Sequence, residues 1–341
     1  MAAKGAAIRP LCNEALGAMR RLLSWKPFQI VATMVADIIH RFNRDDASVL
    51  AAGLAFYALI SIAPLGIIVV VVGGAFISRE EAQEQLAYVI EDTVSPEAAE
   101  QIISIIVNTR PPTLDSWAAI LTIGVLLFGS MRIFAQLQII LNRTWGVTER
   151  RMSFGQTIMI FIKKRLLAFS MVGLLAAALL TSLVVNTAMQ AGRVLFADQF
   201  GAVALIYGPT LTLISLVIGA IMIAVLFKVL PDAWISWRDA LVGGLFTSTL
   251  FNIGKYGIER YLAVESADSG FGPAGSLLIV LLWLYYSSII FLIGAEFTES
   301  YARRHGQGIW PQSHAISVPE PYQSPEETAR LHAPPLEEES I

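Results

Sequence analysis

Residues 48–77 read SVLAAGLAFYALISIAPLGIIVVVVGGAFI, a run without one Asp, Glu, Lys or Arg. A helix rises about 1.5 Å per residue, so roughly 20 apolar residues cross a hydrocarbon core about 30 Å thick. Five further stretches are long and apolar enough, at about 117–137, 166–188, 203–230, 240–262 and 276–295. Lipid offers the backbone no hydrogen-bonding partner, and each stretch far exceeds the roughly 9 to 11 residues of a barrel strand, so each is expected to be a helix. The expected fold is all-α: a polytopic membrane protein with six transmembrane helices, an amphipathic N-terminal helix and an external helical hairpin. The fifth stretch is the most interrupted, with Asn252, Lys255, Glu259 and Arg260 in its outer half.

Composition points the same way. The chain has 341 residues, 55% apolar and 15% charged, with a mean hydropathy of +0.62. A soluble domain carries about 25% charged residues, so this chain is short of the charge that a water-facing surface needs. A net charge of −3 removes the basic excess that binding to nucleic acid demands. The single cysteine, Cys12, excludes a disulfide framework, and His40, His305, His314 and His332 are scattered towards the ends. The sequence has no Gly-rich Lys-Ser/Thr phosphate loop, no His-Glu-x-x-His and no Gly-x-Ser-x-Gly elbow, so neither an enzyme nor a cofactor or metal site is expected.

Cations favour the cytoplasmic side of a membrane. With six spans, only Arg79, Arg110, Arg193, Lys255 and Arg260 of the 24 Lys and Arg fall on one side, so both termini are expected in the cytoplasm of a bacterial inner membrane. Three regions follow: an N-terminal segment over 1–45, a transmembrane domain over 46–304, and a tail over 305–341. Val31, Met34, Ile38 and Phe42 recur at helical spacing, which suits a helix lying among headgroups or packed on the cytoplasmic end of the bundle. Asp45 and Asp46 then stand where an N-cap belongs.

The first external loop, about 78–116, is acidic, with Glu80, Glu81, Glu84, Glu91, Asp92, Glu97, Glu100 and Asp115. One amphipathic helix is expected over 79–91, and Ser95-Pro96-Glu97 opens a second through Ile102, Ile103 and Ile106. Such a hairpin is either a structural lid or a dock for periplasmic envelope proteins. The tail, rich in Pro and ending in Glu337, Glu338 and Glu339, is expected to be disordered.

Polar groups at membrane depth are expensive and so nominate a site. Ser248, Asn252, Lys255 and Glu259, spaced i, i+4, i+7 and i+11, share one helical face. Their functional reading is a hydrophilic stripe lining an outward cavity; the structural one is hydrogen bonding between helices with snorkelling ends. Tyr57, Ser61 and Pro64 align on the first span, where proline frees a carbonyl. On the sixth, Tyr285, Ser288 and Glu296 share a face. These ten residues are the candidate substrate-binding set.

Asp46-Ala47-Ser48-Val49-Leu50-Ala51-Ala52-Gly53-Leu54-Ala55-Phe56-Tyr57 through Pro64 resembles the opening signature of the YihY/BrkB membrane-protein family. Leu141-Asn142-Arg143-Thr144-Trp145-Gly146-Val147, Leu230-Pro231-Asp232-Ala233, Gly272-Pro273-Ala274-Gly275 and Leu292-Ile293-Gly294-Ala295-Glu296-Phe297-Thr298 follow in the family's order. The resemblance covers about 46–304 and leaves out the N-terminal segment and the tail. It implies a six-helix inner-membrane protein with no agreed catalytic residues. Members were once labelled ribonuclease BN, a name regarded as mistaken, and some look like candidates for moving lipids. The leading expectation is a transporter or translocase of an amphipathic envelope substrate such as a lipid, without its own ATPase and with the bilayer as its setting. The alternative is a scaffold that does not transport and recruits envelope-assembly partners; a membrane-embedded hydrolase or nuclease comes third.

Overall fold

The computed structural model describes residues 26–74, 77–93, 117–149, 203–265 and 273–317, together with isolated helical positions within 99–106 and 159–181. Helix α1 (Lys26–Arg44) is followed by α2 (Ala47–Gly73), α3 (Arg79–Thr93) and α4 (Trp117–Thr144). Strand β1 (Val147–Glu149), helix α5 (Val203–Val229), strand β2 (Ala233–Trp234) and helices α6 (Trp237–Glu265) and α7 (Pro273–His305) come next. Strands β3 (Trp310–Pro311) and β4 (Ala315–Ser317) end the described chain. The molecule is an all-α polytopic membrane protein. Five of the six predicted stretches are the helices α2, α4, α5, α6 and α7. Of the stretch at 166–188, positions such as Leu166, Leu167, Met171, Leu174 and Thr181 are helical, and the remainder lies outside the described residues. Among the described residues, Ala47–Val71, Gly124–Thr144 and Leu277–His305 are long and apolar enough to cross a membrane, and Leu213–Val229 is a shorter apolar helix.

The helices pair by stripes of small residues. On α2, Ala47, Ala51, Leu54, Ala55 and Ala58 are buried along one face, while Val49, Phe56 and Ile60 are exposed on the other, where acyl chains replace water. Lipid tails are as apolar as leucine, so helices in a bilayer gain from close packing and hydrogen bonds rather than from burial. Ser61 shows this: its hydroxyl donates to Gly129 O of α4 at 2.9 Å, and Pro64 packs against the same glycine. Ser248 of α6 donates to Leu216 O of α5 at 2.9 Å. Helices α6 and α7 interlock through two reciprocal notches, in which a Cβ on Gly243 or Gly294 would fall 2.0 Å from Oγ1 of Thr298 or Thr247. Each of these threonines donates back to a carbonyl of its own helix, Thr247 to Gly243 O at 2.7 Å and Thr298 to Gly294 O at 2.6 Å.

Helix α1 lies across the end of α7, burying Ile38, with Arg304 bonding Thr33 at 3.0 Å and pairing with Asp37. Helix α1 thus packs on one end of the bundle. Asp46 links α1 to α2 in the left-handed region at φ 52°, and its carbonyl accepts from Val49 N at 2.8 Å. It is the N-cap by position, although its carboxylate faces Arg143, at 4.0 Å, instead of the first turn.

At the opposite end, Ser78 and Glu81 form a capping box: Glu81 N donates to Ser78 Oγ at 3.1 Å and Ser78 N to Glu81 Oε2 at 3.0 Å. Ala99, Ile102 and Ile106 are helical and buried, and Ile106 presses on Gly66 of α2. A small open cleft between these elements is lined by Val70, Leu86, Ile90, Ile103 and Ile106. The expected second-helix opening, Ser95-Pro96-Glu97, lies outside the described residues.

One expectation is corrected. The tail was expected to lack structure from 305 onward, yet its first part is ordered through Ser317. β4 pairs antiparallel with β1, and β3 with β2, closing two short ribbons over the end of the bundle that carries α1. Composition misled because the Pro and Glu residues that signal disorder gather after Ser317, outside the described residues, and diluted a short segment with hydrogen-bonding partners of its own.

Candidate functional site

Two buried carboxylates near the ribbon end organise the site. The first begins where α5 stops. Leu230 N still bonds Leu226 O at 3.1 Å, Pro231 has no N–H to continue the ladder, and the chain turns so that Asp232 points inward, 4% exposed. Gln138 and Asn142, one turn apart on α4, face it. Asp232 Oδ1 accepts from Gln138 Nε2 at 3.1 Å and meets His314 Nε2 at 2.8 Å. Oδ2 accepts from Asn142 Nδ2 at 2.7 Å and Lys164 Nζ at 2.8 Å. The backbone joins in, with Asp232 N donating to Asn142 Oδ1 at 2.8 Å and Gln312 N to Asp232 O at 2.9 Å. Each carboxylate oxygen thus has two partners, which fills the acceptor capacity of the group. Burial pushes the Asp232 carboxyl up, but the hydrogen bonds from Lys164, His314 and Asn142 together with the Lys164 charge outweigh it, and the group is held below the usual carboxylate range.

Around this hub the ribbon end is clamped. Lys228 donates to Ile235 O and lies over the rings of Trp234, at 4.8 Å, and Trp237, at 5.9 Å. Ser236 caps α6, accepting from Asp239 N at 3.1 Å and donating to Asp239 Oδ2 at 2.8 Å. Trp145 donates to Ala295 O at 3.2 Å and stands edge-on to Phe227, which packs against Phe291, so one aromatic chain ties α4, α5 and α7.

The second carboxylate, Glu296, follows Ala295 on α7. It is 1% exposed, and neither of its oxygens has a hydrogen-bond partner. One turn on, Glu299 is also buried but pairs with Arg41 of α1 at 3.1 Å and with Arg303 at 2.6 Å. Among the described residues, the charged groups near Glu296 are Glu299, Asp45, Arg41 and Arg44. The Thr144 hydroxyl, next to the Trp145 that reaches Ala295, is buried and unpartnered too.

Most of the remaining candidate residues pack helices together. Ser61 and Pro64 serve the α2–α4 contact, and Ser248 the α5–α6 contact. Asn252 donates to Ser248 O at 2.9 Å and Ser288 to Leu284 O at 2.7 Å, each within its own helix. Tyr57 stands edge-on to Phe56, Tyr285 packs half-buried beside the core, and Lys255 is half-buried. The side chain of Glu259 lies outside the described residues. The hydroxyls of Ser61, Ser248 and Ser288 are thus each bonded to a carbonyl in the packed bundle. Sequence reasoning missed Asp232, Gln138, Asn142, Lys164 and His314 as one unit. The available signal was an Asp after Leu-Pro at a helix end together with an Asn closing another. Among the described residues no group of three or more His, Cys, Asp or Glu could hold a metal ion.

A family model described as "Virulence factor BrkB" matches residues 38–316, a range that takes in the whole Asp232 hub and β3. A UPF0761 membrane protein of Nitrosospira multiformis is 27% identical over 266 residues, covering 77% of this chain and 59% of that protein. One from Alkalilimnicola ehrlichii is 25% identical over 302 residues, 87% of this chain and 63% of its own length. A third, from Cronobacter sakazakii, is 26% identical over 262 residues, covering 76% of this chain and 84% of that protein. The chain thus spans about three fifths of the first two relatives. No solved structure matches it.

Proposed function

Because the chain belongs to the virulence factor BrkB family of membrane proteins, we propose that it is a transporter or translocase of an amphipathic envelope substrate such as a lipid, working without its own ATPase. Its setting in this reading is the bacterial inner membrane, crossed six times, with the ribbon end and both termini in the cytoplasm. The observation that carries the reading is Glu296, a carboxyl shut inside the bundle with no partner for either oxygen. A bundle that only had to stand would satisfy or lose such a group, since buried polar atoms are nearly always paired and ionisable groups at membrane depth are retained for work. Glu296 replaces the Lys255–Glu259 stripe as the first place to look for substrate handling.

The test is movement of fluorescently labelled phospholipid between leaflets of liposomes containing the purified protein. The wild type is expected to accelerate it and Glu296→Ala to return it to the protein-free rate at equal folded yield. Equal rates in the two would overturn the assignment. A second reading, a scaffold that does not transport and holds envelope proteins at the acidic hairpin, is favoured by one observation: Ser61, Ser248 and Ser288 are all bonded to carbonyls inside the bundle. It predicts no lipid movement and loss of partner recruitment when the hairpin is replaced.

A further inference from the structure

We propose that Glu296 is a reversible proton-binding site, with Glu299 and Arg41 forming its outlet to water. Glu296, Glu299, Arg41 and Arg303 form a gradient of burial along one end of α7, from a 1% exposed residue through side chains of 2%, 16% and 47% exposure. The innermost member has no hydrogen bond, and the next is held by two arginines. An ionised carboxylate without donors is the costliest state such a site can hold, and protonation removes most of that cost. The donor set selects the ligand. A metal cation of the Na⁺ or Ca²⁺ type needs several oxygens around it, whereas Glu296 offers one carboxyl; the other buried oxygens without a hydrogen bond among the described residues are on Thr144, Ser287 and Glu299, and that of Glu299 is ion-paired with Arg41. A proton needs one oxygen.

Among the described residues, four charged groups lie around Glu296. Glu299 comes from its own helix, Arg41 and Arg44 from α1, and Asp45 from the link to α2. Gly294 and Thr298, which face Thr247 and Gly243 of α6, stand two residues either side of Glu296 and so on the opposite side of α7, and neither α6 residue titrates. The reaction is the addition of H⁺ to a carboxylate oxygen and its return to water, with no other bond made or broken and no electron transferred. Arg41 stands over Glu299 from α1, so a shift of α1 away from α7 would break the Arg41–Glu299 pair and open the route. Binding itself does not require transport, but use of the site to couple proton and substrate movement rests on the transport reading above.

The experiment is infrared difference spectroscopy on the full chain in lipid nanodiscs, with pH as the only variable. The wild type is expected to show the carbonyl stretch of a protonated carboxyl that appears and disappears reversibly with pH. Glu296→Gln should lack the band, Glu296→Asp should keep it at a shifted frequency, and Glu299→Gln should keep it with a moved midpoint. Absence of the band in the wild type, or its persistence in Glu296→Gln, overturns the proposal. The same protein in liposomes under an imposed pH gradient separates the two readings. Labelled lipid movement that follows the gradient supports coupling, and lipid movement indifferent to the gradient overturns it. A titrating band without any lipid movement supports the proton site and sinks the transport reading.

Discussion

Asp232 and Glu296 are both carboxylates nearly closed off from solvent at the ribbon end of the bundle, at 4% and 1% exposure. Asp232 sits in a loop and is met by donors from α4, from Lys164 and from the tail. Glu296 sits inside a helix and has no hydrogen bond. The difference follows from where each backbone is. A loop lets a carboxylate turn towards whatever donors surround it, and its own N–H and C=O are free to join, as Asp232 N and O do. A residue inside a long helix has its backbone already bonded and its side chain fixed on one face, so it meets only what the next helix offers at that level. There the charged neighbours, Arg41 and Arg44 of α1 and Asp45 of the link to α2, leave both its oxygens without a hydrogen bond. The first carboxylate is a fastening and the second a reserve of reactivity.

The sharpest way to break this contrast is to remove the fastening. Asp232→Ala leaves Lys164, His314, Asn142 and Gln138 facing a void, and loss of one partner of a buried pair costs about 3–5 kcal/mol; thermal unfolding of the purified protein should show it, and an unchanged midpoint would refute the hub. The same group predicts the acid response. Its folded pKa lies below the unfolded value of about 3.9, so its stabilisation is complete above that value and is lost as pH falls through the lower folded one. Unfolding midpoints compared between wild type and Asp232→Asn should therefore differ most near neutral pH and converge in strong acid.

A smaller effect is expected at the helix seams. A Cβ on Gly244 would lie 2.3 Å from Ala220 O and 2.8 Å from Ala224 N, both backbone atoms that cannot swing aside. Gly244→Ala should cost about 1–3 kcal/mol, read as a lower detergent melting temperature. Ser61→Ala, which removes the bond to Gly129 O, should cost only about 0.6 kcal/mol, as hydrogen bonds between membrane helices do. Smallest of all, Glu296→Gln removes no bond, and its stability should stay within about 0.5 kcal/mol of wild type. A penalty as large as that of Asp232→Asn would erase the distinction between the two carboxylates.

The spans were legible because lipid permits only one local solution for a long apolar run, so composition alone determines the element. α2 illustrates this: the expectation of 48–77 and the helix Ala47–Gly73 differ only at the ends. Helix α3 was legible as the amphipathic stretch over 79–91, and the structure adds its Ser78–Glu81 cap. The destinations of the polar side chains were not. Periodicity puts Ser248 and Asn252 on one face, but only the packed bundle shows that Ser248 reaches α5 while Asn252 turns back to its own helix. Asp232 was illegible for a related reason, since its partners lie 68 to 94 residues away in sequence. Locally, Leu230-Pro231-Asp232-Ala233 is a turn and nothing more. The ribbons escaped notice because strands of two or three residues leave no alternation to detect.

The pairing of β4 with β1 and the bond from His314 to Asp232 also set an order of assembly. A ribosome delivers Asp232 and Lys164 long before residues 312–317, so the hub stays partly open throughout synthesis of α6 and α7. The addition of β4 to β1 therefore follows the synthesis of α2, α4, α5, α6 and α7. Nascent chains arrested short of Gln312 should be held in the membrane yet be cut by protease at the loop around Asp232, where the finished protein is protected.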